Sequence, residues 1–283
     1  MSQPERQGGI DLRRGGHPYD IPAFRIIDDI YYVGEYVSSH LITSNEGHIL
    51  VDTINPDSGP FILKGIVDLG FNPLDIKYIL ITHFHFDHTG SAAMLAKLTG
   101  AKVAIGELDA EPAEKGTTLP GMDPLPPLKI DMRLKDGDVI TLGDKEIHVY
   151  HTPGHTAGNI SFGWKTTHKG RKLDVFLDGG FAIGGPGGEV KGAYEGAWED
   201  YKKTVEKLES LNVDVWLQSH PEPNDTFSKF ELQRRGVEPS PFIDPEGWKA
   251  FVGILRDSLA KGKGVGPLTF PLYTRQRPYF LKT

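Results

Sequence analysis

The sequence predicts an α/β (α+β) fold in which two mixed β-sheets pack together and helices flank them. Short runs of β-branched and aromatic residues alternate with segments of helical spacing, and this alternation occurs in both halves of the chain. Such an order fits two packed sheets with helices outside them better than one wound parallel sheet. The chain has 283 residues, of which 38% are hydrophobic and 24% charged, so it can bury a sizeable core.

The first half begins with consecutive hairpin strands in the segment FRIIDDIYYVGEYVSSHLITSNEGHILVDT, where polar turns separate the apolar runs. Helical spacing predicts two helices, one ended by Gly70 and the other by Gly100. Continuous apolar runs at residues 76–82 and 101–106 predict strands. The Pro- and Gly-rich residues 106–128 predict a long loop that is functional or mobile.

The second half repeats the order of strand, helix and strand. Strands are predicted within residues 133–152, where the pairs Asp136-Gly137 and Gly143-Asp144 mark turns. The apolar runs DVFLDGG and VDVWLQSH predict two further strands, and the segment WEDYKKTVEKLESL between them has helical spacing.

The chain is expected to form one main domain with an extension at each end. Residues 1–22 are rich in Gly, Arg and Pro and lack periodicity, which predicts a flexible N-terminal arm. Residues 23–260 would form the domain, and residues 261–283 a C-terminal extension packed on it.

Composition excludes several classes of function. The chain has no cysteine, so any metal must be held by imidazole and carboxylate groups. The net charge of −7 argues against a nucleic acid partner, and no apolar stretch is long enough to span a membrane. A small-molecule substrate is the better expectation, and the composition leaves the oligomeric state open. As written the protein is expected in the cytoplasm, or in the periplasm if a signal was removed before residue 1.

The segment THFHFDHTG follows an apolar run and holds three histidines and an aspartate within six positions. Side chains alternate along an extended segment, so His83, His85 and Asp87 are expected to point to one side. His88 follows as the chain turns and aims at a neighbouring point. Buried without a metal, such groups would cost about 1–3 kcal/mol for each unmet hydrogen bond. Four groups around one ion would be strained, so two metal sites are predicted.

Further ligands are predicted at the ends of other strands. His155 follows the turn Pro153-Gly154, and His220 ends the apolar run VWLQSH. Asp178, in VFLDGG, is predicted either to bridge the two ions or to support their ligands. The predicted sets are His83, His85 and His155 for one ion, and Asp87, His88 and His220 for the other.

These motifs resemble the metallo-β-lactamase superfamily, on the segments THFHFDHTG, HTPGHTAG and the final SH of VWLQSH. The segments DDIYYVGEYVSSHLITSNEGHILVDT, DPLPPLKIDMRLKDGDVITLG and PSPFIDPEGW resemble the third subgroup of the class B β-lactamases. The resemblance covers about residues 24–260. It implies an αββα sandwich with a dizinc site at one edge between the sheets, and the same six ligands. It also implies a supporting role for Asp52 beside the metal ligands.

The chain departs from that subgroup at one strand end. Those β-lactamases usually have Asp-Ser followed by another serine that helps to hold the drug carboxylate, whereas this chain reads Asp178-Gly179-Gly180-Phe181. Thioesterases and lactonases of the superfamily use an aspartate in this neighbourhood to bridge their ions. The departure therefore favours a lactone or thioester substrate.

The predicted function is a dizinc hydrolase that uses a metal-bound hydroxide to open a cyclic amide, with a β-lactam, and hence antibiotic resistance, as first candidate. Asp87 is expected to orient the hydroxide as the catalytic residue, and Gly179, Phe86 and His151 to contact the substrate. Two Zn²⁺ ions are the expected cofactors, although iron or manganese accept the same donors. The alternatives are a lactonase or thioesterase of the same fold, or an iron-dependent sulfur dioxygenase.

Overall fold

A computed structural model describes residues 21–118, 123–183 and 194–266 of the chain. Most of the predicted N-terminal arm, residues 1–20, and the part of the C-terminal extension after residue 266 lie outside the described residues. Within the described ranges no helix has the length and apolar character needed to cross a membrane.

The first sheet contains seven strands, which follow one another across the sheet in chain order. They are β1 (Phe24–Ile27), β2 (Ile30–Tyr32), β3 (His40–Ser44), β4 (Gly47–Val51), β5 (Ile76–Ile81), β6 (Lys102–Gly106) and β7 (Met132–Leu134). Strands β1 to β4 are antiparallel neighbours, whereas β4 to β7 are parallel. Because β5 and β6 are parallel, the loops that follow them leave the sheet at the same edge.

The second sheet contains five strands in the spatial order β12-β11-β10-β9-β8. They are β8 (Val139–Leu142), β9 (Lys145–His151), β10 (Ile160–His168), β11 (Arg171–Asp178) and β12 (Val215–Gln218). All neighbours are antiparallel except β11 and β12, which are parallel and are connected through a helix.

Seven α-helices and one 3₁₀-helix, Pro73–Asp75, are present in the described residues, and the helices predicted from the sequence are confirmed. The α-helices are α1 (Gly59–Asp68), α2 (Phe86–Thr89), α3 (Ala92–Thr99), α4 (Glu107–Glu114), α5 (Ala197–Glu209), α6 (Thr226–Arg234) and α7 (Pro245–Ala260). Gly70 and Gly100 follow α1 and α3 with φ angles of 89° and 74°, a left-handed conformation that glycine adopts without strain.

The prediction of a loop over residues 106–128 is wrong at its start, because α4 occupies eight of these residues. Pro112 lies inside the helix and removes one backbone donor. Two contributions compensate for this loss. Ala110 and Ala113 are buried against the first sheet, and acidic residues in the first turn interact favourably with the helix dipole.

Three apolar cores give the αββα layering. One core lies between the two sheets and includes Ile49, Phe162 and Leu217. A second core packs α1, α3 and α4 on the outer face of the first sheet, and a third packs α5 and α7 on the outer face of the second. Val265 joins the third core and its carbonyl accepts a hydrogen bond from the backbone of Ile183, so residues up to 266 pack on this side.

Candidate metal centre

Three imidazole rings meet at the edge of the first sheet where β5 ends. Nε2 of His155 lies 3.1 Å from Nε2 of His83 and 3.1 Å from Nδ1 of His85. Nitrogens bound to one tetrahedral zinc ion, at roughly 2.0–2.1 Å from the metal, have separations close to this. We call His83, His85 and His155 the three-histidine group.

A second set of donors lies beside the first. Oδ2 of Asp87 is 3.6 Å from Nε2 of His88 and 3.5 Å from Nε2 of His220. The rings of His83 and His88 have centroids 4.0 Å apart, so the two sets are direct neighbours. We call Asp87, His88 and His220 the mixed group. The six predicted ligands therefore meet in the two sets that the sequence suggested.

The backbone conformation that places Asp87 and His88 differs from the predicted extended segment. The extended conformation does not continue past His85, because the one-turn helix α2 begins at the next residue. The backbone N–H of His88 donates to the carbonyl of His85 at 3.0 Å, and the hydroxyl of Thr89 donates to the same carbonyl at 3.0 Å. This turn carries Asp87 away from the side shared by His83 and His85.

Hydrogen bonds on the outer side of three rings fix which nitrogen carries the proton. Thr82 Oγ1 donates its proton to Asp52, so the Nδ1 of His83, 3.0 Å away, must donate to Thr82. Nδ1 of His88 donates to Oδ2 of Asp52 at 2.9 Å, and Nδ1 of His155 donates to the carbonyl of Ala182 at 2.7 Å. In each of these rings, when it is neutral, Nε2 carries no proton. Its lone pair therefore points towards the other candidate metal ligands.

These inward lone pairs make the donor sets fit a cation. Two Nε2 lone pairs, those of His83 and His155, face each other across 3.1 Å with no proton between them. A metal ion held between His83 and His155 would replace this repulsion by coordination. The predicted supporting role of Asp52 agrees with the geometry, since its carboxylate accepts from His88 and from both the backbone and hydroxyl of Thr82.

Burial keeps most of these rings in the neutral form that binds metals. It lowers the pKa of His83 well below the ordinary value, that of His85 to about 3, and those of His155 and His220 to about 4. Burial acts in the same direction on His88, but the carboxylates of Asp52 and Asp87 outweigh it and raise the His88 pKa.

A family model described as the metallo-β-lactamase superfamily matches residues 32–220, a range that contains all six donors and Asp52. The chain belongs to the metallo-β-lactamase superfamily. The αββα layers agree with this assignment. Members of the superfamily that resemble this chain are hydrolases, and the chain is also a hydrolase.

Solved structures similar to this member of the superfamily are subclass B3 metallo-β-lactamases. BJP-1 of Bradyrhizobium japonicum is 33% identical with a TM-score of 0.79, over 86% of this chain and 93% of that one. The di-zinc enzyme LRA-12 from an Alaskan soil metagenome is 32% identical with a TM-score of 0.76, over 85% of this chain and 94% of that one.

Curated proteins similar in sequence are named for a different activity from that of the solved structures. A hydroxyacylglutathione hydrolase of Maricaulis maris is 27% identical over 248 residues, which are 84% of this chain and 83% of that protein. A hydroxyacylglutathione hydrolase of Cereibacter sphaeroides is 32% identical over 148 residues, 52% of this chain and 49% of that protein. The comparisons thus agree on a metallo-hydrolase and differ in substrate.

The structure does not bring Asp178, the predicted bridging residue, into either donor set. Asp178 is in register with Gln218 between β11 and β12, so its side chain shares a face with Phe176 and Trp216, two residues earlier in each strand. That face packs against α5 and α7. Oδ1 of Asp178 lies 3.4 Å from Oγ of Ser161, and burial raises the Asp178 pKa to about 7.

The three predicted substrate contacts lie in different settings. A Cβ added to Gly179 would lie 2.1 Å from the carbonyl oxygen of Ile160, so the backbone has no room for a side chain. Nε2 of His151 lies 2.8 Å from the carbonyl of Ala157 and so helps to hold the loop after β9. Phe86 begins α2 and is half-buried. Contact of these residues with a substrate stays a prediction.

Three residues around the donors were missed by the sequence reasoning. Thr82 completes the hydrogen bonds of His83 and Asp52 but is the last residue of an apolar run. Asp109 lies in the segment predicted to be a loop, and no spacing connects it to the histidines. Ala182 acts through its backbone carbonyl, so no side-chain pattern could have indicated it.

Replacing Asp52 by Asn should weaken zinc binding at the mixed group by about 10- to 100-fold, because His88 loses the carboxylate that orients it. Zinc titration of the metal-free protein, with circular dichroism to check the fold, measures this. Asp28→Asn is the matched control, since Asp28 also accepts from a histidine, Nδ1 of His168 at 2.9 Å, away from the donors. Equal zinc affinity in Asp52→Asn and the wild type would contradict the role of Asp52.

Asp178→Asn should retain both metal ions and change the pH dependence of stability. The folded-state pKa of about 7 exceeds the ordinary 3.8, so the native state keeps a proton that the unfolded state loses. Asp178 therefore contributes a fall of up to about 4 kcal/mol in the free energy of unfolding between about pH 4 and 7, whereas the buried histidines with lowered pKa values contribute a rise over part of the same range. The test is therefore the difference between the two proteins: in urea unfolding of metal-free protein, the stability of the wild type relative to the variant should decrease by this amount from about pH 4 to 7. Loss of a metal ion in the variant would instead support the bridging role.

Proposed function

We propose that this superfamily member is a dimetal hydrolase that opens a cyclic amide, with β-lactams as its first candidate substrates. The coarser assignment, a metallo-hydrolase, already follows from the family and the relatives. The proposal adds the substrate class, the identity of the metal and the roles of individual residues.

The orientation of the Asp178 side chain is the observation that favours a β-lactam over a lactone or thioester. An aspartate that bridges the ions is expected for the thioesterases and lactonases of the superfamily. Here the carboxylate of Asp178 faces the layer of α5 and α7, and the donors number three in each set without it. This arrangement favours the β-lactamase branch, in agreement with the B3 enzymes that are similar over 93% or more of their own length.

The donor chemistry is compatible with zinc. Imidazole and carboxylate bind zinc well, and they also accept iron or manganese. When bound, two such divalent cations would supply Lewis acidity towards a water molecule and towards the carbonyl of the substrate. His83, His85 and His155 would hold one cation, and Asp87, His88 and His220 the other.

Solvent access within the mixed group is uneven, which indicates where a substrate would approach. The side chain of His88 is 1% exposed, whereas those of Asp87 and His220 are 21% and 38% exposed. A substrate would therefore approach on the side of Asp87 and His220. The closed side excludes water, which strengthens electrostatic interactions within the site.

Asp87 presents an ionised carboxylate on the more exposed side of the mixed group, where it can accept a hydrogen bond from a water molecule. Burial opposes its ionisation, but His88 and His220 outweigh burial and lower the Asp87 pKa, so the carboxylate is ionised at neutral pH. One carboxylate oxygen can orient the attacking water and accept its proton as the carbonyl carbon is attacked. The same carboxyl group can then pass the proton to the leaving nitrogen of the opened ring.

A lactone or thioester is the second candidate substrate. Gly179 and Gly180 offer no hydroxyl to a drug carboxylate, and the geometry at Gly179 leaves no space for one. The curated relatives named hydroxyacylglutathione hydrolase favour the same alternative.

A substrate panel on one zinc-loaded preparation separates these candidates. We expect about two zinc ions per chain, and a higher kcat/KM for β-lactams than for lactones or acyl thioesters. The opposite order would support the second candidate. One tightly bound iron per chain and no hydrolysis would support the sulfur dioxygenase alternative and contradict the proposal.

Asp87→Asn should lower kcat by about 10²- to 10⁴-fold, because the amide cannot take up the proton. The measurement is made at saturating zinc with the metal content determined in parallel. Asp57→Asn is the control, an exposed acid outside both donor sets that should leave kcat within a small factor of the wild type. Unchanged turnover in Asp87→Asn would remove Asp87 from the mechanism.

A further inference from the structure

Asp109 is a buried carboxylate that neither the sequence pattern nor the proposed mechanism explains. It lies in the first turn of α4 and is 1% exposed. Its two oxygens accept three hydrogen bonds: Oδ2 accepts from the backbone of Phe84 at 3.0 Å and from Oγ1 of Thr156 at 2.6 Å. Oδ1 accepts from the backbone of Gly158 at 2.7 Å.

All three hydrogen-bond donors lie beside members of the three-histidine group. Phe84 stands between His83 and His85, and Thr156 directly follows His155. Gly158 lies three residues after His155. The loop after β5 and the loop after β9 belong to different sheets, so a carboxylate that accepts from both connects the two halves of the group directly.

Backbone contacts around Asp109 are unusually close. A Cβ added to Gly158 would lie 2.3 Å from the backbone nitrogen of Asp109, and one added to Gly106 would lie 1.9 Å from the carbonyl oxygen of Gly158. Glycine at both positions therefore allows the start of α4 to touch the loop that carries His155. The close backbone packing and the three hydrogen bonds are independent observations, and both connect the start of α4 to the loop that carries His155.

We propose that Asp109 is a positioning residue that clamps the His83–His85 loop to the His155 loop and so sets the nitrogen spacing of the three-histidine group. The inference rests on the metal site of the proposed function. Without the clamp, each loop must be ordered by the ion itself, which weakens binding. The mixed group depends less on this contact, because Asp52 orients His88 and because His220 follows β12 of the second sheet.

Asp109→Asn tests the clamp with little change in volume. Whichever way the amide is turned, its NH₂ group faces a backbone N–H, either that of Phe84 or that of Gly158. Cobalt(II) is the probe, because its visible absorption reports coordination geometry as well as binding. Two variants allow cobalt binding to each group to be measured separately. His220→Ala leaves the three-histidine group complete, and His155→Ala leaves the mixed group complete.

In the His220→Ala background, Asp109→Asn should weaken cobalt binding about 10- to 100-fold and alter its absorption spectrum. In the His155→Ala background it should change the affinity by less than about threefold. Asp131→Asn is the matched control, since Asp131 also accepts from a backbone N–H, that of Val103 at 3.0 Å, but contacts neither loop. This control should leave cobalt binding unchanged in both backgrounds.

Thr156→Val provides a second variant should Asp109→Asn fail to fold. It removes one of the three hydrogen bonds without moving Asp109, and should weaken cobalt binding in the His220→Ala background in the same direction but by less. Unchanged binding in both variants, or equal losses in the two backgrounds, would overturn the clamp while leaving the metal site intact. A wild-type protein that binds no cobalt would overturn both the clamp and the proposed function.

Discussion

Lone pairs directed at one another across 3.1 Å are the constraint on which the metal centre depends. Neutral imidazoles in this arrangement repel unless a cation lies between them, and burial prevents the rings from relieving the repulsion by taking up protons. The outer hydrogen bonds of His83, His88 and His155 hold the rings in this orientation. Under the proposed function, a cation bound between these nitrogens would make the arrangement favourable.

The architecture explains how such an arrangement is maintained. His83 and His85 follow a strand of the first sheet, whereas His155 and His220 follow strands of the second, so the relative position of the two sheets sets the donor distances. That position is fixed by the apolar core between the sheets and by the outer helical layers. Hydrogen bonds that the carboxylates of Asp52 and Asp109 accept then fix the loops locally, beyond what apolar packing alone specifies.

Steric constraints explain why glycine occupies positions 179 and 180, independently of any effect on a substrate. A Cβ at Gly179 would lie 2.1 Å from the carbonyl of Ile160, and one at Gly180 would lie 2.8 Å from the ring of His155. The backbone after β11 therefore passes directly against a donor ring.

The sequence by itself determined the fold class, α1, α3 and α5 with the glycines after the first two, and the six candidate metal ligands with their division into two sets. Local periodicity and residue chemistry contain this information, because strand ends, glycine and histidine act through short-range rules. Only the tertiary structure decided that α2 ends the extended segment after His85, that α4 forms despite Pro112, and that Asp178 faces the helices. The packing of α4 and the orientation of Asp178 depend on contacts between segments distant in the chain, such as Asp109 with Gly158, and no local pattern encodes such contacts.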